Sequence, residues 1–289
     1  MSEQKTLIIT GSNAGIGYTT ALQAAKKGQR VIMACRNQSK ADAARQTIVD
    51  AVPGADVLVR ILDLSSFDSI RQFAASIEQE FDHIDALINN AGMMPSTLEH
   101  TTEGFEMQFG VNYLGHFLLT HLLIPVLSRS PDARIVHLSS LGHLWGNINE
   151  KNFRDRSPYL MGVTAYGQSK LANVLFSQEL AQRLPANIVS NAVHPGFVDS
   201  DFFRNIPKAI YFFWRRVLVS PETSANFTLE MALAENWKDR SGEFVSAQGP
   251  LPKSPRLRNA RLSQTLYEKS CQLTGATPLT KPALQAQVG

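Results

Sequence analysis

Cysteine is nearly absent from this chain of 289 residues, which has only Cys35 and Cys271. Two thiols exclude a disulfide framework and a cysteine-based zinc site, and a reducing, intracellular setting is the default. No block of like charge occurs either. Against 28 Lys+Arg stand 25 Asp+Glu, and the cations are scattered, so the net charge of +3 gives nucleic-acid binding no support. A long apolar run is also missing. The most apolar stretch, residues 117–127, is far shorter than the ~20 residues of a bilayer crossing and contains His121 and Pro125. Met1-Ser2-Glu3-Gln4-Lys5 runs straight into Leu7-Ile8-Ile9 with no signal-peptide pattern. The expectation is a cytoplasmic protein without a secretory signal or a transmembrane segment. His116, His121, His137, His143 and His194 form no metal-ligand spacing such as H-E-x-x-H, so no metal is expected. What is abundant is apolar: 44% hydrophobic content fills the core of one large domain or two small ones and excludes disorder.

Short apolar or β-branched runs at 6–10, 30–34, 56–62, 86–89, 134–138 and 188–193 alternate with helix-period stretches at 16–27, 40–49, 66–81, 102–127 and 165–184. Unbroken apolar strands of this length suit a parallel sheet buried on both faces. Their alternation with helices implies right-handed βαβ crossovers, hence an α/β fold: a doubly wound parallel sheet of the Rossmann type flanked by helices on both faces. Ser66, Asp68 and Ser69 offer capping oxygens before a helix, Gly28 follows Lys26-Lys27 at the end of another, and Pro53-Gly54 marks a turn. No repeat or linker interrupts the first part of the chain, which favours a single domain.

After Val193 the pattern changes. Aromatic and basic residues mix between Phe202 and Val219, a helix pattern covers 222–234, and prolines at Pro250, Pro252 and Pro255 precede a further helix at 257–273. The division expected is a nucleotide-binding and catalytic domain at 1–248, including a substrate-covering segment at 199–220. Residues 249–289 then form a C-terminal helix and tail of the same domain. The mixture at 206–219 also suits a membrane surface, so peripheral membrane contact there is the alternative to packing on the domain.

Thr10-Gly11-Ser12-Asn13-Ala14-Gly15-Ile16-Gly17 joins the first strand to the first helix. Glycines there let the backbone turn sharply and approach a pyrophosphate, whose charge is met by the helix N-terminus. At the end of the second strand, where an acid would hold the ribose 2′-hydroxyl of NAD, the chain has Cys35-Arg36-Asn37. A guanidinium there pairs with a 2′-phosphate, which favours NADP(H). Asp63-Leu64 and Asn89-Asn90-Ala91-Gly92 close the third and fourth strands, at the carboxyl ends where ligands of such sheets bind; Asp63 serves equally as a helix cap. Ser139-Ser140 ends the fifth strand, and Tyr166 lies four residues before Lys170, on one helical face. That spacing lets an ammonium favour a phenolate and lower the tyrosine pKa. Trp145, Phe153, Tyr159, Phe197, Phe202 and Phe203, with Met93, Met94, Leu141 and Leu144, are either core or the wall of a lipophilic pocket.

Together these residues resemble the short-chain dehydrogenase/reductase family, from about Lys5 to beyond Val198. The ordered motifs are Thr10–Gly17, Asn89–Gly92, Asn112, Ser140, Tyr166 to Lys170, and Pro195-Gly196. Asn112-Tyr113-Leu114-Gly115-His116-Phe117 and His194-Pro195-Gly196 resemble most the retinol dehydrogenase and WW-domain oxidoreductase branch. The resemblance implies a catalytic set of Asn112, Ser140, Tyr166 and Lys170. Tyr166 would be general acid or base, Ser140 would position the substrate oxygen, Lys170 would hold the nicotinamide ribose, and Asn112 would anchor a water. It implies cofactor contacts from Gly11, Ser12, Asn13, Gly15, Ile16, Gly17, Arg36, Asp63, Leu64, Asn90, Ala91, Gly92, Tyr166, Lys170, Pro195, Gly196, Val198 and Ser200. The activity implied is hydride transfer between NADP(H) and the carbonyl or alcohol carbon of a small lipophilic substrate: a retinoid, steroid, quinone or aldehyde. The alternatives are a non-catalytic NADP(H)-sensing scaffold and a C=C reductase resembling protochlorophyllide reductase. The helices around 102–127 and 165–184 resemble those through which family members form homodimers, with a monomer as the other outcome.

Overall fold

The computed structural model describes residues 4–155, 158–198 and 218–281. Strands β1 (Thr6–Thr10), β2 (Arg30–Cys35), β3 (Val57–Ile61), β4 (Ala86–Asn89), β5 (Ala133–Leu138) and β6 (Ile188–His194) alternate with helices α1 (Gly15–Lys26), α2 (Gln38–Ala51) and α3 (Phe67–Glu80) in the first half. Between β4 and β5 run α4 (Met107–Phe109), a π-helical turn (Gly110–Gly115) and α5 (His116–Leu127); α6 (Val163–Leu180) joins β5 to β6. A two-residue strand β7 (Phe197–Val198) pairs with β8 (Leu218–Val219). Helix α7 (Pro221–Leu233), strand β9 (Phe244–Ser246) and helix α8 (Ala260–Thr274) complete the described chain. Of the covering segment expected at 199–220, residues 199–217 lie outside the described residues, Ser200 among them.

All neighbours in the main sheet are parallel, in the order β3-β2-β1-β4-β5-β6-β9. The strand order reverses between β1 and β4, and this switch point opens a crevice at their carboxyl ends. Successive side chains of a strand face opposite sides of a sheet. Ile8 therefore joins one core cluster with residues of α3, α5 and α6, while Leu7 and Ile9 join the other with residues of α1, α2 and α7. Burial on both faces is why the central strands β1, β2 and β4 are apolar without alternation.

Helix starts follow local hydrogen-bonding chemistry. Ser66 accepts the Ser69 N–H at the start of α3, Asn37 that of Lys40 at α2, and Asn259 that of Leu262 at α8. Met107–Leu127 is one helical run of 21 residues, longer than the apolar stretch 117–127, and by length and composition it could cross a membrane. In the fold 83% of its apolar window is buried, and Phe109, Tyr113 and Phe117 belong to the core. Helix α8 lies against α5 and α6: the Tyr267 hydroxyl is 2.9 Å from His121 Nε2, and the Tyr113 and Ser270 hydroxyls are 2.8 Å apart.

Candidate active site

The crevice is stitched together by β1 and β4. Backbone N–H groups of Asn90 and Ala91 each donate to Thr10 Oγ1 at 2.9 Å, and Asn90 Nδ2 donates to Thr10 O at 2.7 Å. Glycine is required at two loop positions by close approach. A Cβ on Gly11 would lie 2.9 Å from Ala91, and one on Gly17 would lie 2.4 Å from Asn90 Nδ2 and 2.5 Å from Gly11 O. Gly15 differs: its φ is +55°, and a Cβ there would meet nothing within 4 Å. The open space at the start of α1 is a cradle that fits a pyrophosphate, with the helix N-terminus beneath it.

Arg36 follows β2 with its side chain exposed and makes no ion pair with any described residue. Beside the loop an open cleft of about 480 Å³ is lined by Asn13, Ala14, Tyr18 and Lys40, among others. Lys40 borders this cleft, and Arg36 stands exposed two residues before the start of α2. Lys40 was not among the residues expected from sequence; its position two residues into α2, within reach of the Gly loop, is the available signal. Ser12 is buried, its hydroxyl donating to Ile9 O at 2.9 Å, so its side chain faces the core. Cys35 Sγ lies 3.5 Å from that hydroxyl, and burial pushes its thiol pKa up. Asp63 Oδ1 accepts the N–H and hydroxyl of Ser65, forming a turn, while Ser66 caps the helix. Leu64 is buried and packs against Gly115.

The proton-transfer candidates meet at the carboxyl ends of β4 and β5. Ser140 is hydrogen-bonded to the Tyr166 hydroxyl. Ser139, its neighbour, is buried and donates to Lys170 O at 2.8 Å, which turns it away from Tyr166. The Tyr166 ring lies on Gly142, where a Cβ would sit 3.0 Å from the ring; sequence reasoning did not single out this glycine. Lys170 is buried and donates to Leu138 O at 3.1 Å. A Cβ on Gly92 would be 3.4 Å from Lys170 Nζ and 3.7 Å from Asn112 Oδ1, so these three residues share one wall. Asn112 sits in the π-helical turn, a feature frequent at functional sites. Its amide accepts the Met93 N–H at 2.9 Å and donates to Met93 O at 3.0 Å.

Burial decides the electrostatics here. It raises the Tyr166 pKa above the ordinary phenol value, with the Ser140 hydrogen bond offsetting part of that, and it lowers Lys170 to about 8. This corrects the expectation that Lys170 would bring the tyrosine down: the ammonium is turned toward Leu138 O and lies 5.6 Å from the Tyr166 ring centroid. Tyr166 is therefore protonated at neutral pH, the form that donates to a carbonyl oxygen. His116 is a further residue that sequence reasoning left as structural or surface. It contacts Thr10 Oγ1 through Nε2 at 2.9 Å and Asn112 O through Nδ1 at 3.1 Å, so Nδ1 carries its proton. Burial holds it neutral, with a pKa of about 4.

At the far side of the crevice Pro195 and Gly196 follow β6. Gly196 has φ +89°, and a Cβ there would meet Val219 at 2.4 Å. Val198 lies in β7. Of the aromatics offered for a pocket, Phe153 is core, stacked on Phe109 at 4.0 Å, whereas Trp145 is exposed. Phe202 and Phe203 lie outside the described residues.

The family model for short chain dehydrogenase matches residues 5–210. Mouse retinol dehydrogenase 12 is 43% identical over 277 residues, covering 94% of this chain and 86% of that protein. Human retinol dehydrogenase 13 is 40% identical over 293 residues, covering 98% and 87%. A crystal structure of a putative uncharacterized protein from Mycobacterium paratuberculosis superposes with TM-score 0.75 at 35% identity, covering 96% of this chain and 95% of that one. A short chain dehydrogenase from Shigella flexneri complexed with NADP shares the fold, with TM-score 0.68 at 23% identity, covering 84% and 97%.

Proposed function

The chain belongs to the short-chain dehydrogenase family, in its retinol dehydrogenase branch, as an NAD(P)-dependent oxidoreductase acting on CH–OH or C=O groups, and from that premise we propose an NADP(H) enzyme for lipophilic carbonyl or alcohol substrates with Tyr166 as its proton-transfer group. The observation that carries the proposal is the Ser140–Tyr166 hydrogen bond at the carboxyl end of β5, in a chain whose Gly loop leaves open space at Gly15. When bound, the nicotinamide supplies or accepts the hydride. In the reductive direction Tyr166, protonated, donates its phenolic proton to the substrate oxygen. Ser140 donates a hydrogen bond to the same oxygen and fixes its position. Lys170 holds the ribose, and Asn112 anchors the proton-relay water.

Arg36 and Lys40 are the proposed ligands of the 2′-phosphate. The Gly11–Gly17 loop, Asp63-Leu64, Asn90-Ala91-Gly92, Pro195-Gly196, Val198 and Ser200 complete the cofactor site. A lipophilic substrate is supported by the half-buried Met93 beside Asn112 and by the names of the relatives, which act on retinol. A cytoplasmic location belongs to the same proposal and is supported by two free, buried cysteines. The test is NADPH consumption with retinal, steroid ketones, quinones and aliphatic aldehydes. Turnover of at least one carbonyl class to its alcohol is expected; NADPH binding without turnover of any would overturn the proposal in favour of a sensing scaffold, and reduction of a C=C bond would overturn the carbonyl chemistry.

A further inference from the structure

Among the described residues five large hydrophobic side chains are exposed, and four of them, Trp145, Leu160, Met161 and Val163, gather at the start of α6. Met161 is 72% exposed and Leu160 59%. These two are also the described non-glycine residues with positive φ, +47° at Leu160 and +51° at Met161. Consecutive residues in that conformation are uncommon, and a branched or bulky one there signals strain held by its surroundings. Here strain and solvent exposure of apolar surface coincide, with no core packing in return.

The holding device is visible. Tyr159 donates its hydroxyl to Glu106 Oε1 at 2.8 Å, and Gln108 Nε2 donates to the Tyr159 hydroxyl at 3.0 Å and to Gly162 O at 2.9 Å. Glu106 is itself fully buried, accepting the N–H groups of Gln108 and Phe109 at the start of α4. Both ends of the strained turn are thus tied to the helical run that carries Asn112. Gly162 closes the clamp: a Cβ there would lie 2.5 Å from Gln108 Nε2 and 2.6 Å from Pro95 O. Trp145 completes the patch by donating Nε1 to Val163 O at 3.1 Å. Val163 stands three residues before Tyr166, about 5 Å along the helix axis.

We propose that Trp145, Leu160, Met161 and Val163 form a platform that receives the apolar chain of the substrate beyond its reacting carbon, and that the Glu106–Gln108–Tyr159 clamp positions it. The proposal rests on Tyr166 being the reacting end of the site. The platform makes the enzyme selective for extended chains: the first ~4 carbons lie over Tyr166, and later methylenes reach the patch. Each methylene buried there multiplies kcat/KM by about two to four.

The experiment is kcat/KM with NADPH for the straight-chain aldehydes from butanal to decanal. In the wild type the value climbs with length beyond ~4 carbons by that factor per methylene. In Leu160→Ser/Met161→Ser the climb flattens while butanal keeps its wild-type value, and because both side chains are exposed the fold tolerates the change. Met161→Leu keeps the climb. Tyr159→Phe raises KM for decanal with kcat, butanal kinetics and the KM for NADPH unchanged, a split that general destabilisation does not produce. A wild-type profile independent of length, a climb retained in the double variant, or an equal fall for butanal and decanal would overturn the platform alone. No turnover of any aldehyde, butanal included, would overturn the reading on which it rests, and the platform with it.

Discussion

Replacing Arg36 provides a quantitative test of cofactor choice. Its guanidinium is exposed after β2, has no ion-pair partner among the described residues, and stands where an acid would otherwise meet a ribose hydroxyl. A hydrogen bond to a charged group contributes about 1.5–3 kcal/mol, and solvent screening at an exposed position keeps Arg36 near the lower end, about 1.5–2. At about 1.4 kcal/mol per decade, Arg36→Ala lowers kcat/KM for NADPH by about ten- to thirtyfold and leaves NADH unchanged. Arg36→Asp adds repulsion of about 1 kcal/mol per phosphate charge at 4 Å in water and offers the 2′-hydroxyl of NADH an acceptor. The NADPH to NADH ratio then falls by about a hundredfold or more. Initial rates with both cofactors at ~0.1 M and ~0.5 M salt measure it, and the wild-type preference shrinks at the higher salt. A ratio unchanged within about twofold in Arg36→Asp would refute the role of this residue.

The two loop glycines separate cofactor space from packing. Gly15→Ala costs about 1 kcal/mol of stability from its positive φ yet raises the NADPH KM at least tenfold, whereas Gly17→Ala lowers the thermal midpoint markedly through its clash with Asn90 and Gly11. Equal effects on both readouts would contradict this division. Burial lowers Lys170 to about 8 from an ordinary 10.5, so the unfolded chain binds the extra proton between those values and stability gained from this group rises with pH across that window. Denaturant titrations of Lys170→Met should lack that rise relative to the wild type; a parallel pH dependence would contradict it. His116 and His121 have pKa values lowered to about 4 and His137 to about 3, all by burial. Each contributes stability that is complete above pH 6.5 and is lost as pH falls toward its folded value, at about 1.4 kcal/mol per pH unit. His121→Gln should remove one such increment from the acid limb of a stability–pH curve, and an unaltered limb would count against it.

The parallel sheet was legible because β1, β2 and β4 hold the unbroken apolar runs Leu7-Ile8-Ile9, Val31-Ile32-Met33-Ala34 and Ala86-Leu87-Ile88, the imprint of double-sided burial, although β3, β5 and β6 are interrupted by Arg60, by Arg134 and His137, and by Ser190 and Asn191. Strand β9 left none: Phe244-Val245-Ser246 is too short for a pattern and pairs only with β6. The π-helical turn at Asn112 depends on backbone hydrogen bonds that no side-chain spacing encodes. At the site, Arg36 and Tyr166 could be placed because each follows an identifiable strand end or helix start. Ser12 could not be oriented from loop spacing, since only the fold reveals that its hydroxyl turns onto Ile9 O. The four-residue spacing of Tyr166 and Lys170 located both groups but not the balance between them, which burial sets against the expected direction. Lys40 went unseen because it belongs to α2 in sequence and to the Gly-loop cleft in space.

The central claim is that Tyr166 moves the substrate proton. Its most direct test is Tyr166→Phe, assayed in parallel for NADPH binding by fluorescence titration and for turnover of the best carbonyl substrate. Removing one hydroxyl leaves the ring on Gly142 and the cradle at Gly15 in place, so NADPH affinity stays within about twofold of wild type while turnover falls by about two to four orders of magnitude. Turnover retained with normal cofactor binding would contradict the account.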